Sequence, residues 1–112
     1  MDQIPKPIKR ALRELADRAY EIELGRALAA LHSEFGRWQQ GEVTAFDLSE
    51  AIHRFHQGPA RALFSMYTHG HPTAAVAHAI HSGILDRGHV APDLLKYLEG
   101  ALGFYEASES AQ

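Results

Sequence analysis

The first forty residues carry two apolar stripes that a straight helix cannot turn toward one core. Ile8, Leu12, Leu15, Ala19 and Ile22 follow steps of 4, 3, 4 and 3, and Leu24, Leu28, Leu31, Phe35 and Trp38 repeat the same steps. Continuing the first stripe by four residues from Ile22 reaches Arg26, whereas the second starts at Leu24. Starting two residues early is a rotation of about 200° at ~100° per residue, so the stripes lie on nearly opposite sides of one helix. Either Gly25 breaks the helix, or the helix is continuous and its halves have different partners. Glycine costs only about 1 kcal/mol in a helix, so it permits a break without forcing one. In the continuous case the second half packs on its own domain. The first half, residues 5–23, is then a dimerisation arm whose contact residues are Ile8, Leu12, Leu15, Ala19 and Ile22. An arm left alone would forgo roughly 1.5–3 kcal/mol for each large apolar side chain kept in water.

Downstream, proline and glycine mark helix ends. Pro7, Pro59, Pro72 and Pro92 each precede an apolar-periodic segment, where a missing N–H costs nothing. Gly41, Gly58, Gly70 and Gly88 follow such segments, where a left-handed stop is cheap. The pattern predicts helices over 7–40, 44–57, 59–69, 72–86 and 92–106, with Gly58-Pro59 either separating two helices or kinking one. Thr44-Ala45-Phe46-Asp47 reads as a capping box with Asp in the usual Glu position. No run alternates with period two, so no sheet is expected. The expected fold is all-α, a helical bundle of about five helices with a long N-terminal helix. Residues 1–106 form a single domain in this reading, and residues 107–112 a loose tail.

The segment from Pro72 to Leu85 contains no Asp, Glu, Lys or Arg. A helix without a charged face is central or lies in an interface. A chain of 112 residues has little room to enclose a helix fully. Val76 and Ile80 are therefore expected to join the arm at a homodimer interface. The small residues Ala74, Ala75, Ala77, Ala79, Ser82 and Gly83 suit close helix approach.

Candidate chemistry centres on histidine, because seven of the eight fall between His53 and His89. Glu50, His53 and His56 are spaced i, i+3, i+6, and a Glu-x-x-His pair points both groups at one ion in di-metal helical bundles. His78 and His81 form a second i, i+3 pair, and the five residues together are a candidate set for a divalent transition metal. Against this, Glu50 can pair with Arg54 at i+4 on a solvated face. His69-Gly70-His71 and His89 fall in connections, where turn chemistry explains them. There is no cysteine, which excludes disulfides and thiolate metal sites and fits a cytoplasmic location.

Arg26 and His32 loosely resemble the Arg-x4-6-His pair of small helical nucleases whose dimers pool such pairs. The resemblance implies RNA cleavage with His32 as general acid–base and Arg26 stabilising phosphate. The two side chains point about 120° apart on an ideal helix, and Ala27 stands where a polar residue is usual. A formal charge of −3 and scattered Lys and Arg speak against a nucleic-acid groove reader. No apolar run approaches the ~20 residues of a membrane span, and the opening residues lack a signal peptide's apolar stretch. The favoured expectation is a non-enzymatic helical interaction or regulatory module. It works as a homodimer or with another protein, without a cofactor.

Overall fold

The computed structural model describes residues 5–69 and 71–110, with the side chains of 105, 106 and 108–110 outside that description. Helix α1 runs unbroken from Lys6 to Gln39. Gly25 does not interrupt it, and a Cβ built there meets nothing within 4 Å. The helix starts with Pro7 in its first turn and stops at a Schellman motif. Gly41 takes φ +78°, its N–H reaches Trp38 O at 3.0 Å, and the Glu42 N–H reaches Arg37 O at 2.8 Å. Only a residue without a Cβ adopts that φ cheaply.

Helices α2 (Ala45–Phe55) and α3 (Arg61–His69) are joined by a π-helical turn over His56–Ala60. The expected break at Gly58-Pro59 is thus a wider turn inside one rod. Pro59 has no N–H to donate, and the i→i+5 spacing accommodates its ring. The capping box forms as expected. The Asp47 N–H donates to Thr44 Oγ1 at 3.1 Å, and the Thr44 N–H donates to Asp47 Oδ2 at 2.9 Å. That second bond, above all, holds the Asp47 carboxyl below the usual carboxylate range.

Helix α4 (Pro72–His81) is capped by His71, whose Nδ1 accepts the Thr73 N–H at 3.2 Å. It ends earlier than the expected 72–86, because Gly83 at φ +79° makes a second Schellman stop. The Ile84 N–H reaches Ala79 O at 2.8 Å and the Gly83 N–H reaches Ile80 O at 3.1 Å. A 3-10 turn, Arg87–His89, follows. Asp86 Oδ1 accepts the Gly88 N–H at 3.0 Å, and His89 Nδ1 lies 3.5 Å from Asp86 Oδ2. Helix α5 runs from Pro92 to Ser110, through most of the expected tail.

With α2 and α3 counted as one rod, the described residues form four helical rods and no strand. The core lies at one end. Leu12, Ala16 and Ala19 of α1 meet Val76, Ala77, Ala79 and Ile80 of α4 and Leu94, Leu98 and Leu102 of α5. Leu85 and Val90 close this core from the α4–α5 connection, and Ile8, Leu15 and Ile22 pack against its margin. Of the residues expected at a dimer interface, Leu12, Ala19, Val76 and Ile80 are instead buried within the chain, and Ile8, Leu15 and Ile22 are half-buried against the same core. These residues serve the chain's own three-helix core. The charge-free α4 is central, and it is covered by both α1 and α5 of the same chain.

The other half of α1 projects from this core and, among the described residues, pairs with the α2–α3 rod. The molecule is elongated, 56 × 34 × 25 Å, with a radius of gyration of 17.6 Å. A compact domain of this length has about 13 Å.

Candidate functional site

The projecting part is a helical hairpin. The short connection 40–44 after Gln39 returns the chain along α1, so α2 and α3 run antiparallel to its second half. Its base is fixed by three side chains. The rings of Tyr20 and Tyr67 stack with centroids 5.1 Å apart and planes 9° from parallel. The Tyr67 hydroxyl donates to Glu23 Oε2 at 2.5 Å. Burial pushes the Tyr67 hydroxyl well above its ordinary pKa, and the hydrogen bond and charge of Glu23 add to this.

This contact should show in the pH dependence of stability. Tyr67 keeps its proton in the folded chain at a pH where the unfolded side chain, with pKa about 10, has lost it. Its contribution is therefore full below about pH 10 and declines as pH rises further. Tyr67→Phe should cost about 1 kcal/mol at neutral pH, less than a fully buried bond to a charged group because the pair is half-exposed. The gap between wild type and variant in urea unfolding should narrow above about pH 10. A gap that stays constant there would contradict the assignment.

Beyond this base the hairpin has two unlike sides. One carries a 740 Å³ groove lined by Ala27, Glu34, Arg37, Asp47, Ala51 and Arg54, among others. Its arginines are paired. Arg37 Nη1 lies 3.0 Å from Glu34 Oε1, Arg37 Nε lies 3.5 Å from Glu42 Oε2, and Arg54 Nη2 lies 3.6 Å from Glu50 Oε1. The opposite side carries a 560 Å³ groove walled by Tyr20, Leu24, Leu28, Phe55, Ala60 and Phe64, with His56, Gln57 and Arg61 also lining it. On an ideal helix Phe35 falls about 20° from Leu28, and Ile52 lies about 40° from Leu48 on the flank facing His56. Those angles place both on this second, apolar side. Leu28 is 47 % exposed, Phe35 37 %, Ile52 40 % and Phe64 53 %, although all four are large and apolar. The two-helix layer therefore buries one line of contact, through Leu48 and its neighbours, and leaves the apolar flank open.

The residues singled out from sequence are scattered. His53 and His56 lie exposed on the α2–α3 rod, whereas His78 is half-buried and His81 exposed on α4. Among the described residues, no three or more His, Cys, Asp or Glu side chains come together to hold a metal ion. Glu50 is engaged by Arg54, as its i+4 spacing implied. Arg26 and His32 are both exposed on α1. Gly70 lies outside the described residues.

Sequence reasoning missed the hairpin flank by assigning the second stripe to the domain interior. A usable signal existed. The charge-free α4 needs close cover, and the first half of α1 offers it in Ala16 and Ala19, which pack in one cluster with Val76, Ala77, Ala79 and Ile80. No helix among the described residues is long and apolar enough to cross a membrane. The chain matches no protein-family model, no curated protein and no solved structure.

Proposed function

We propose that this chain is a non-enzymatic helical interaction module whose working surface is the apolar flank of the α1–α2–α3 hairpin. One observation carries the reading. The accessible surface is 8033 Å², whereas a compact monomer of 12.4 kDa exposes about 6100 Å². An elongated shape accounts for such an excess, and the hairpin that projects from the core is part of it. Helices bury an apolar face by packing against another layer, and this hairpin has none among the described residues. Exposed Leu28 and Phe64 line one groove with Tyr20, Leu24 and Phe55, and grouped exposed apolar side chains are the pattern that marks association sites.

The reading is tested with the neutral, polarity-sensitive dye Nile red and the double variant Leu28→Glu/Phe64→Glu. The dilute wild-type chain should bind the dye under native conditions. The variant should not bind it, while keeping its helical circular dichroism and a melting temperature within a few degrees of wild type, as surface changes do. A wild-type chain that binds no dye at any dilution would remove the reading. So would a variant that melts far lower, because the flank would then belong to the folding core.

A further inference from the structure

We infer that the partner of this flank is a second copy of the same chain, docked hairpin to hairpin about a two-fold axis so that four rods close into a bundle. The inference rests on the interaction reading above and adds the identity of the partner.

Three observations favour a like copy. The first is area. The whole chain exposes roughly 1900 Å² more than a compact monomer of its mass, more than twice the about 800 Å² that a stable interface takes from each partner. The second is shape. Residues 20–39 of α1 and residues 45–69 of the α2–α3 rod are antiparallel and similar in length, which is half of a four-helix bundle. Two such halves are the simplest way to give each its missing layer.

The third is the distribution of charge. A two-fold interface sets a patch against itself, so a patch of one charge would repel its own copy. The flank avoids this because its groove is walled by Tyr20, Leu24, Leu28, Phe55, Ala60 and Phe64 with Arg61 and His56 beside them, while Glu21, about 20° from Leu28 on an ideal helix, brings the opposite sign to the same side. The ionic groups Glu34, Arg37, Asp47 and Arg54 line the opposite groove, where they remain in water. The chain's net charge of −3 therefore need not be concentrated at the seam.

The test is sedimentation equilibrium of the full chain at micromolar concentration. Wild type should appear at twice the chain mass of 12.4 kDa. Leu28→Glu/Ile52→Glu, and separately Phe64→Glu, should sediment as folded single chains, with dissociation constants raised about 100-fold or more. Phe46→Glu and Tyr97→Glu alter exposed residues on other faces and should leave the dimer intact. Circular dichroism identifies any variant that has lost its fold, and Phe64→Glu alone is then decisive if the double variant does not fold.

A dimer that survives the flank substitutions overturns the inference. So does one that Tyr97→Glu dissociates, because the copies then meet through α5. A wild-type chain that stays single at all concentrations while binding Nile red on the flank also overturns it. In that case the interaction reading stands and the partner is a different protein.

Discussion

Leu12→Ala and Leu98→Ala are each expected to remove about 2–5 kcal/mol of stability. The two side chains are 1 % and 0 % exposed, in the three-helix core where α1, α4 and α5 meet. Truncation there leaves a cavity that the α-helices cannot close by small shifts, and a natural domain holds only about 5–15 kcal/mol in total. Melting temperature should fall by about 8 °C or more at the rate usual for small domains. Leu28→Ala is the matched control. It removes the same atoms from a half-exposed site, so the isolated chain should lose less than about 1 kcal/mol. The difference between wild type and Leu12→Ala in urea unfolding should not vary with protein concentration, because both sides of the contact belong to one chain. Equal losses at Leu12 and Leu28, or a Leu12 effect that grows on dilution, would contradict this placement of the core.

Enlarging the alanines at the α1–α4 contact should be comparably damaging. Ala19 and Ala77 are both 0 % exposed. Ala19→Leu and Ala77→Leu should each cost about 1–3 kcal/mol, since added atoms must push side chains off their rotamers or separate the helices. Ala29→Leu, at an exposed site on the same helix as Ala19, should change stability by less than about 0.5 kcal/mol. Thermal melts of the three variants check the ranking. If Ala19→Leu melts with wild type, the helices are not in close contact there.

Much of the local architecture was legible in the sequence because its causes are local. Pro7 and Pro72 stand in first helical turns, Thr44 and Asp47 cap each other, and Gly41 stops α1. Gly83 was read as helix interior, and no periodicity argument could separate it from Ala79. Its role depends on a backbone angle set by how Ile84 and Leu85 fold back toward Ala79 O. The two opposed stripes of α1 were also legible, as was the need for two sets of partners. The first stripe packs on α4 and α5 of its own chain rather than on a neighbour, and the second half of α1 pairs with the α2–α3 rod. Stripe spacing says that a face is covered, whereas what covers it depends on contacts distant in sequence, such as Leu12 with α5.

The candidate site was less legible for the same reason. Leu28, Phe35 and Ile52 have the composition of a core, and only the absence of a third layer over the hairpin makes them a surface. Tyr20 and Tyr67 are 47 positions apart in sequence. Their stacking and the partner Glu23 depend on the antiparallel return of α3.

An uninterrupted α1 also gives the molecule two tiers of cooperativity on one hydrogen-bonded ladder. From Leu12 to Ala19 the backbone amides are held by global unfolding, because α4 and α5 must separate before that stretch can open. From Leu31 to Trp38 the same ladder is restrained only by the returning rod, so it can fray from the Gly41 end while the rest stays folded. Whatever seats on the hairpin would thus suppress local opening over the distal turns of α1 and leave the proximal turns unchanged.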